Sequence, residues 1–271
     1  MTRDMGLRVS SLESNKQKMK TISYFRIIDK ADYGRSAWLL LQCEGKLPAV
    51  KAGQFAQLRV DDSPSTYLRR PISIHDVDTE ANTIAMLVQR VGEGTRHIAD
   101  LHTGTMINMV LPLGNGFTMP EKQNADTLLV GGGIGIAPLL LLGKNLVKAG
   151  HKVTFLLGGR SESDLLRMEE YKKTAPVLTT TEDGSHGVKG FVTQHPVWEQ
   201  TFDNIYVCGP KPMMKAVMQK ARETGTWCEV SLENMMACGL GACLCCVENT
   251  TEGNVCVCKE GPVFNINRLL W

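Results

Sequence analysis

The sequence predicts a multi-domain chain of β and then α/β architecture. A small antiparallel β-barrel spans residues 19–122, a parallel sheet with helices on its faces spans 123–226, and a small cysteine-rich domain spans 227–271. Three observations carry this reading. Apolar runs of strand length, parted by Gly, Pro, Asp and Asn, fill the first segment. The rhythm then changes to strand, helix, strand. Finally, six of the nine cysteines crowd between Cys238 and Cys258.

In the first segment, "SYFRIIDK", "SAWLLLQCEG", "GQFAQLRV", "RPISIHDV" and "NTIAMLVQRV" read as strands. Short strands at this spacing predict a small antiparallel barrel. The helical stretch among them is "TRHIADLH", with Thr95 placed to act as its N-cap. From Asp126 the pattern alternates: "TLLVGGG" reads as a buried strand, "PLLLLGKNLVKAG" as a helix closed by Gly150, and "KVTFLLGGR" as the next strand. "PVLTTTEDG" and "NIYVCGP" read as further strands, and "KPMMKAVMQKARETG" as a helix with Pro212 near its start and Gly225 after its end. Such alternation means a parallel sheet covered by helices. The tail from Cys228 reads as loops around the thiols, "EGPVF" included.

Composition narrows the function. With 43% hydrophobic and 21% charged residues the chain has sizeable cores. A formal net charge of +2 gives no bulk attraction for nucleic acid. The polar leading residues, through Lys18, lack the apolar region of a secretory signal and read as a mobile lead-in. The longest apolar run, Leu128 to Gly143, falls short of the ~20 residues of a membrane span and is broken by glycines and Pro138. An odd number of cysteines without an export signal argues for a reducing compartment, so the expected location is cytoplasmic, with no membrane association.

"GGGIGIAP", Gly131 to Pro138, follows a strand and opens a helix. Glycines there let the backbone turn sharply and approach a pyrophosphate held by the helix N-terminus. The full G-x-G-x-x-G pattern is absent, and "LLGGR" ends in Arg160 where an acidic residue would meet a ribose. A tight strand-to-helix connection without a ligand is the other reading of this stretch taken alone.

In the barrel, "RRPISI" sets Arg70, Pro71, Ile72 and Ser73 in a row. Arginine can hold a diphosphate bidentately, and the serine hydroxyl can meet a ring nitrogen. "VGEGT", with Gly94 and Thr95, offers backbone amides and a hydroxyl at a helix start, a second anion site. A solvated arginine ahead of an ordinary strand is the plainer alternative.

Cys238-x4-Cys243-x2-Cys246 is the thiolate spacing of plant-type [2Fe-2S] centres, which draw a fourth cysteine from farther along. Gly239 and Gly241 let the loop fold round a cluster and aim amides at sulfur. Zinc prefers paired C-x2-C knuckles; Cys243 and Cys246 form one, but Cys256-x-Cys258 is too short for the other. Both Cys256 and Cys258 lie within reach as the fourth ligand.

Taken in order, these motifs resemble the ferredoxin–NAD(P) reductase superfamily, with its R-x-x-S barrel motif, G-G-G-x-G-x-A-P turn and C-G-P motif over Thr21 to Gly225. The resemblance implies an FAD-binding barrel in which Arg70 meets the pyrophosphate, Pro71 and Ile72 complete the motif, and Ser73 lies near flavin N5. Leu87, Val88, Gln89, Gly94 and Thr95 would line the rest of the flavin. Gly132, Gly133 and Gly135 would serve the NAD-binding turn, and Cys208 and Gly209 would lie against the nicotinamide. Ile72 replaces the tyrosine that many members stack on the flavin, leaving Tyr67 as a candidate aromatic face.

The tail "SLENMMACGLGACLCCVEN…CKEGPVF" is similar to the electron transfer subunits of dihydroorotate dehydrogenase B. That resemblance implies cluster ligands Cys238, Cys243, Cys246 and Cys258, with Cys245 and Cys256 spare. It also implies a separate FMN-containing catalytic subunit oxidising dihydroorotate in pyrimidine synthesis, within a heterotetramer of two subunits of each kind. Electrons would pass through the [2Fe-2S] cluster and FAD to NAD+. No catalytic side chain is expected here, because the redox work falls to cofactors. A related reductase serving another flavoprotein, and a non-redox nucleotide-binding protein with a structural zinc site, are the alternatives. Arg160 leaves NADP open beside NAD.

Overall fold

The computed structural model describes residues 20–271. The expected mobile lead-in through Lys18 lies outside the described residues. The first unit comprises β1 (Thr21–Asp32), β2 (Ser36–Cys43), β3 (Phe55–Leu58), β4 (Arg70–Asp78), β5 (Thr83–Gln89), helix α1 (Glu93–Asp100) and β6 (Met106–Leu113). These six strands close an antiparallel barrel in the order β1-β2-β5-β4-β3-β6. β5 is buried on both faces from Thr83 to Val88, and Phe25 and Ile27 of β1 join Ile84, Met86 and Val88 in the apolar core. Helix α1 is capped three residues earlier than expected. Its N-cap is Gly92, and Thr95 sits one turn in, its hydroxyl accepting from the Val91 and Gly92 amides at 3.1 Å.

β4 carries a bulge that matters later. Ile74 pairs with Met86 and Asp76 with Ala85, so His75 is an extra residue without a partner in β5. A bulge re-aims the extra side chain.

The second unit comprises β7 (Asp126–Gly132), α2 (Ala137–Lys148), β8 (Lys152–Gly159), α3 (Met168–Thr174), β9 (Val177–Thr181), β10 (Val188–Lys189), β11 (Asn204–Cys208), α4 (Lys211–Thr224) and β12 (Trp227–Ser231). The chain continues through a hairpin of β13 (Val247–Thr250) and β14 (Gly253–Cys256), a single turn α5 (Val257–Glu260) and β15 (Val263–Asn265). The sheet order is β10-β9-β8-β7-β11-β12-β15. It therefore runs past the expected 226/227 boundary. β12 pairs in parallel with β11 over five residues, and β15 returns antiparallel to it, Ser231 opposite Val263. "GPVF", read from sequence as loop, is thus an edge strand, because Val263 and Phe264 bury their side chains on that sheet.

One apolar core runs from the barrel into α2 and α3; a second joins β7, β11 and α4 to Cys246, Val257, Cys258 and Phe264. The cysteine segment is thus built onto the sheet. No helix among the described residues is long and apolar enough to cross a membrane.

Candidate functional site

β7 lies mid-sheet with β8 on one side and β11 on the other. The chain builds outward from β7 through β8, β9 and β10, then returns to add β11 and β12 on the other side of β7, and ligands of open α/β sheets bind outside the carboxyl ends of strands at such a switch point. Here the ends are Gly131–Gly132 and Cys208–Gly209, with Gly131 opposite Cys208. The two chains nearly touch. A Cβ on Gly135 would lie 2.5 Å from Gly209 Cα and 2.6 Å from the Cys208 carbonyl carbon. Gly209, at φ +157°, leaves no room for a Cβ against Met213. The missing side chains open a cleft of about 680 Å³ between barrel and sheet.

Of the residues read from sequence, Gln89, Gly132, Gly133, Gly135 and Gly209 line this cleft. Cys208 does not: its thiol is buried behind Gly209, and burial beside Glu233 pushes it well above the ordinary thiol range. Several lining residues had no motif to announce them. Tyr33 and Arg35 come from the β1–β2 turn, Asp164 and Glu182 from the ends of β8 and β9, and Glu233 from the end of β12. Glu233 is exposed toward the cleft, and desolvation by the cleft walls raises its carboxyl above the ordinary range. The signal available for Asp164, Glu182 and Glu233 was their position just after a strand's carboxyl end.

In the barrel the two predicted anion-binding stretches come together. A Cβ on Gly94 would lie 2.6 Å from Arg70 Nε and 2.9 Å from the Thr66 methyl, so Arg70 packs against the opening turn of α1. Arg70 Nη1 donates to the Leu68 carbonyl at 2.8 Å, which fixes the guanidinium at the barrel rim. Pro71 and Ser73 are half-buried, while the side chains of Ile72, Leu87 and Val88 are buried. Tyr67, 91% exposed, stands clear of the barrel just ahead of β4.

The cysteine loop is shaped by glycines at φ +68° (Gly239) and +83° (Gly241). It aims amides at sulfur: Leu240 and Ala242 donate to Cys238 Sγ (3.3 and 3.4 Å), Gly241 to Cys258 Sγ (3.1 Å), and Cys258 to Cys246 Sγ (3.3 Å). Desolvation works against charge on Cys238, but these amides outweigh it and bring its pKa down to about 6. Cys258 is fully buried, and desolvation, reinforced by nearby Cys246, pushes it up to about 12; a bound cation reverses that logic. Cys256 also approaches Cys246, but its thiol faces an acceptor, the Gly241 carbonyl at 3.8 Å. A thiolate ligand needs donors, which favours Cys258. Cys243 and Cys245 are exposed. Among the described residues no three ligating side chains converge tightly enough for one metal ion. Cys238 faces Cys243, and Cys246 faces Cys258, a two-and-two arrangement that suits a two-iron centre.

The barrel meets this loop through Gln57 of β3, a residue no motif announced. Gln57 is buried, lies opposite Pro71 across the strand pair, and directs Nε2 toward the Ala237 carbonyl at 3.5 Å. The Arg70 motif and the cysteine loop thus meet at the β3–β4 strand pair.

Residues 233–270 match the family model of the iron–sulfur cluster binding domain of dihydroorotate dehydrogenase B, and residues 129–219 that of the oxidoreductase NAD-binding domain. The dihydroorotate dehydrogenase B (NAD(+)) electron transfer subunit of Shouchella clausii is 38% identical over 252 residues, covering 90% of this chain and 96% of the relative. The chain belongs to the family of dihydroorotate dehydrogenase B electron transfer subunits. The family member from Bacillus velezensis is 41% identical over 220 residues, 79% of this chain and 85% of its own. Among solved structures, one from a study of flavin-based electron bifurcation, the NADH-dependent reduced ferredoxin-NADP oxidoreductase, superimposes with a TM-score of 0.82 at 31% identity over 91% of this chain and 90% of that one. The ferredoxin reductase of carbazole 1,9a-dioxygenase shares the fold at 16% identity, with a TM-score of 0.65 over 76% and 67%. As an electron transfer subunit the chain is an oxidoreductase component, with an iron–sulfur domain where a structural zinc cap was the alternative. The fold, the cofactor set of FAD, [2Fe-2S] and NAD, and family membership are as the sequence led us to expect.

Proposed function

We propose that this chain carries electrons from a separate FMN-containing catalytic subunit, where dihydroorotate is oxidised, to NAD+, in a cytoplasmic heterotetramer of two subunits of each kind. The observation that carries this is that one barrel meets both other sites. Gln89 of the barrel lines the cleft at the β7/β11 switch point, Gln57 of the barrel meets the cysteine loop, and the Arg70–Gly94 rim belongs to the same barrel. When bound, FAD exchanges two electrons with a nicotinamide and single electrons with an iron–sulfur centre.

The residues divide the work. Arg70 and the α1 amides at Gly94–Thr95 would hold the FAD diphosphate, with Pro71, Ser73 and Gln89 and the backbone of Ile72, Leu87 and Val88 along the ring system. Gly132, Gly133 and Gly135 would serve the dinucleotide, and Gly209, packed closely against the Gly132 turn with Cys208 behind it, would lie against the nicotinamide. Cys238, Cys243, Cys246 and Cys258 would hold the cluster, leaving Cys245 and Cys256 as thiols.

An anaerobic visible spectrum of the purified chain, before and after NADH, tests the relay. Flavin and iron–sulfur bands that both bleach support it; a colourless zinc protein that retains no flavin overturns it. The likeness to the NADH-dependent reduced ferredoxin-NADP oxidoreductase favours a second reading, service to another flavoprotein. Co-purification separates the two: the first requires a partner whose addition makes NAD+ reduction depend on dihydroorotate.

A further inference from the structure

Glu248 lies on β13, just after Cys246, and its side chain is only 12% exposed although its neighbours Val247 and Asn249 face solvent. Three segments of the chain meet on its carboxylate. Oε2 accepts from Asn234 Nδ2 at 3.0 Å, Oε1 accepts from Trp271 Nε1 at 2.9 Å, and Lys211 Nζ lies 3.6 Å from Oε1.

Asn234 stands just ahead of Cys238, and the stretch between β12 and β13 contains no helix or strand. The Asn234–Glu248 bond therefore closes the base of the loop that carries Cys238, Cys243 and Cys246. Holding the ends of such a loop together costs entropy, which bonds at its base offset. Asn234 also follows Glu233, and Lys211 follows Pro210, and both Glu233 and Pro210 line the cleft. Trp271 steadies the joint. Lys211 Nζ stands 4.5 Å and Lys215 Nζ 5.7 Å from its ring, and its carbonyl accepts from Arg222 Nη1 at 2.9 Å, so it is fastened along α4.

We infer that Glu248 is a positioning residue of the electron relay: it closes the base of the cysteine loop through Asn234 and ties that base, through Lys211, to the turn at the nicotinamide end of the cleft. Hydrogen bonds to a charged acceptor are the stronger kind, which suits a joint between three segments. Without it the loop base opens, the Leu240 and Ala242 amides lose their aim at Cys238, and the Pro210 turn loosens against the dinucleotide. This inference rests on the loop holding the cluster and the cleft holding the dinucleotide.

The test compares the purified full-length chain with Glu248→Gln, Asn234→Ala and the double variant. Glu248→Gln keeps one acceptor where two are used and loses the charge opposite Lys211. It should release iron to a chelator about tenfold faster, the scale of one hydrogen bond to a charged group, and should raise the KM for NADH with ferricyanide as acceptor. Asn234→Ala, which changes no charge, should speed iron release and lower the cluster midpoint in a potentiometric EPR titration, because weaker amide bonds favour the oxidised cluster. The double variant should be no worse than Glu248→Gln, since both act through one joint. A chain that unfolds more easily but keeps wild-type iron release, midpoint and KM makes Glu248 a structural ion pair and overturns the inference. So does a midpoint that rises in Glu248→Gln and stays put in Asn234→Ala, the mark of a lost charge acting through space. If Glu248→Gln fails to fold, wild-type iron release in Asn234→Ala alone overturns it. A wild-type chain that holds neither iron nor flavin overturns the relay reading and the inference with it.

Discussion

His75 of the barrel lies 2.9 Å, through Nδ1, from the carbonyl oxygen of Ala137, the first residue of α2 after the glycine turn. Its Nε2 meets Glu170 of α3 at 3.3 Å, and Glu170 is paired in turn with Arg167, whose guanidinium covers the Trp38 ring at 4.1 Å. Ser73 and His75 are two residues apart on β4, and the bulge turns His75 across the junction. One short segment thus joins the flavin motif to the nicotinamide turn. His75→Ala leaves the Ala137 carbonyl without this partner, at a cost of roughly 1–3 kcal/mol. It should slow flavin reduction at saturating NADH about tenfold with FAD content retained, as stopped-flow absorbance would show; an unchanged rate contradicts the coupling.

The same network sets an acid limit. Burial opposes the Glu170 charge, but bonds from His75 and Arg167 outweigh it and hold the carboxylate at about 2, below its ordinary 4.5. A carboxylate depressed in the folded state adds stability that is complete above pH 4.5 and is lost as pH falls toward 2. The contribution is roughly 1–3 kcal/mol after solvent screening. Chemical denaturation of wild type and Glu170→Gln at pH 7 and pH 3.5 should show the gap between them shrinking at the lower pH.

At the switch point, Gly135→Ala sets a methyl 2.5 Å from Gly209 Cα and 2.6 Å from Cys208 backbone atoms, none of which can rotate away. The β7 and β11 ends must part. NADH-driven flavin bleaching should fall by about 100-fold or more, the scale of a 1 Å misplacement, while Arg70 and Gly94, on the barrel, keep FAD bound. Flavin content and single-turnover rates on one preparation check both halves.

Much of this was legible because it is local. The turn Gly131–Pro138, the C-G-P at Cys208–Pro210 and the spacing of Cys238, Cys243 and Cys246 are set by neighbours in sequence, so spacing alone reports them. What stayed hidden depends on distant partners. β15 is three residues long and exists because Ser231 pairs with Val263. Glu229 reads as a surface charge, yet it is buried in β12, accepting from the Thr118 amide and hydroxyl at 2.9 and 2.8 Å. His75 owes its role to a bulge, and Gln57 to a loop 180 residues away. Cys256 and Cys258 are two residues apart, and only the placement of Gly241 tells a thiol facing a carbonyl from one facing an amide.

That placement yields the ligand prediction. Cys258→Ser removes the sulfur that accepts from Gly241 and should abolish cluster binding, with iron content falling toward zero and the reduced-state EPR signal lost. Cys256→Ser alters a thiol that faces a carbonyl and should keep two irons per chain with a changed spectrum at most. The reverse pattern makes Cys256 the ligand.

The loop carrying Cys238 is tested without touching a sulfur. Gly239→Ala puts a methyl 2.8 Å from Gln57 Cγ and 2.9 Å from Nε2, at a φ of +68° that costs an L-residue about 1–2 kcal/mol by itself. Gln57 is buried and cannot swing into solvent, so the loop must yield and the Leu240 and Ala242 amides must turn from Cys238. Because amide bonds to sulfur hold charge on it, their loss should lower the cluster's reduction potential and loosen its retention. Potentiometric EPR titration and iron analysis after gel filtration should show both, with FAD at wild-type levels because the added methyl meets Gln57 rather than Arg70 or Gly94. A variant with unaltered potential and full iron would mean that Gln57 and the loop adjust independently of the cluster.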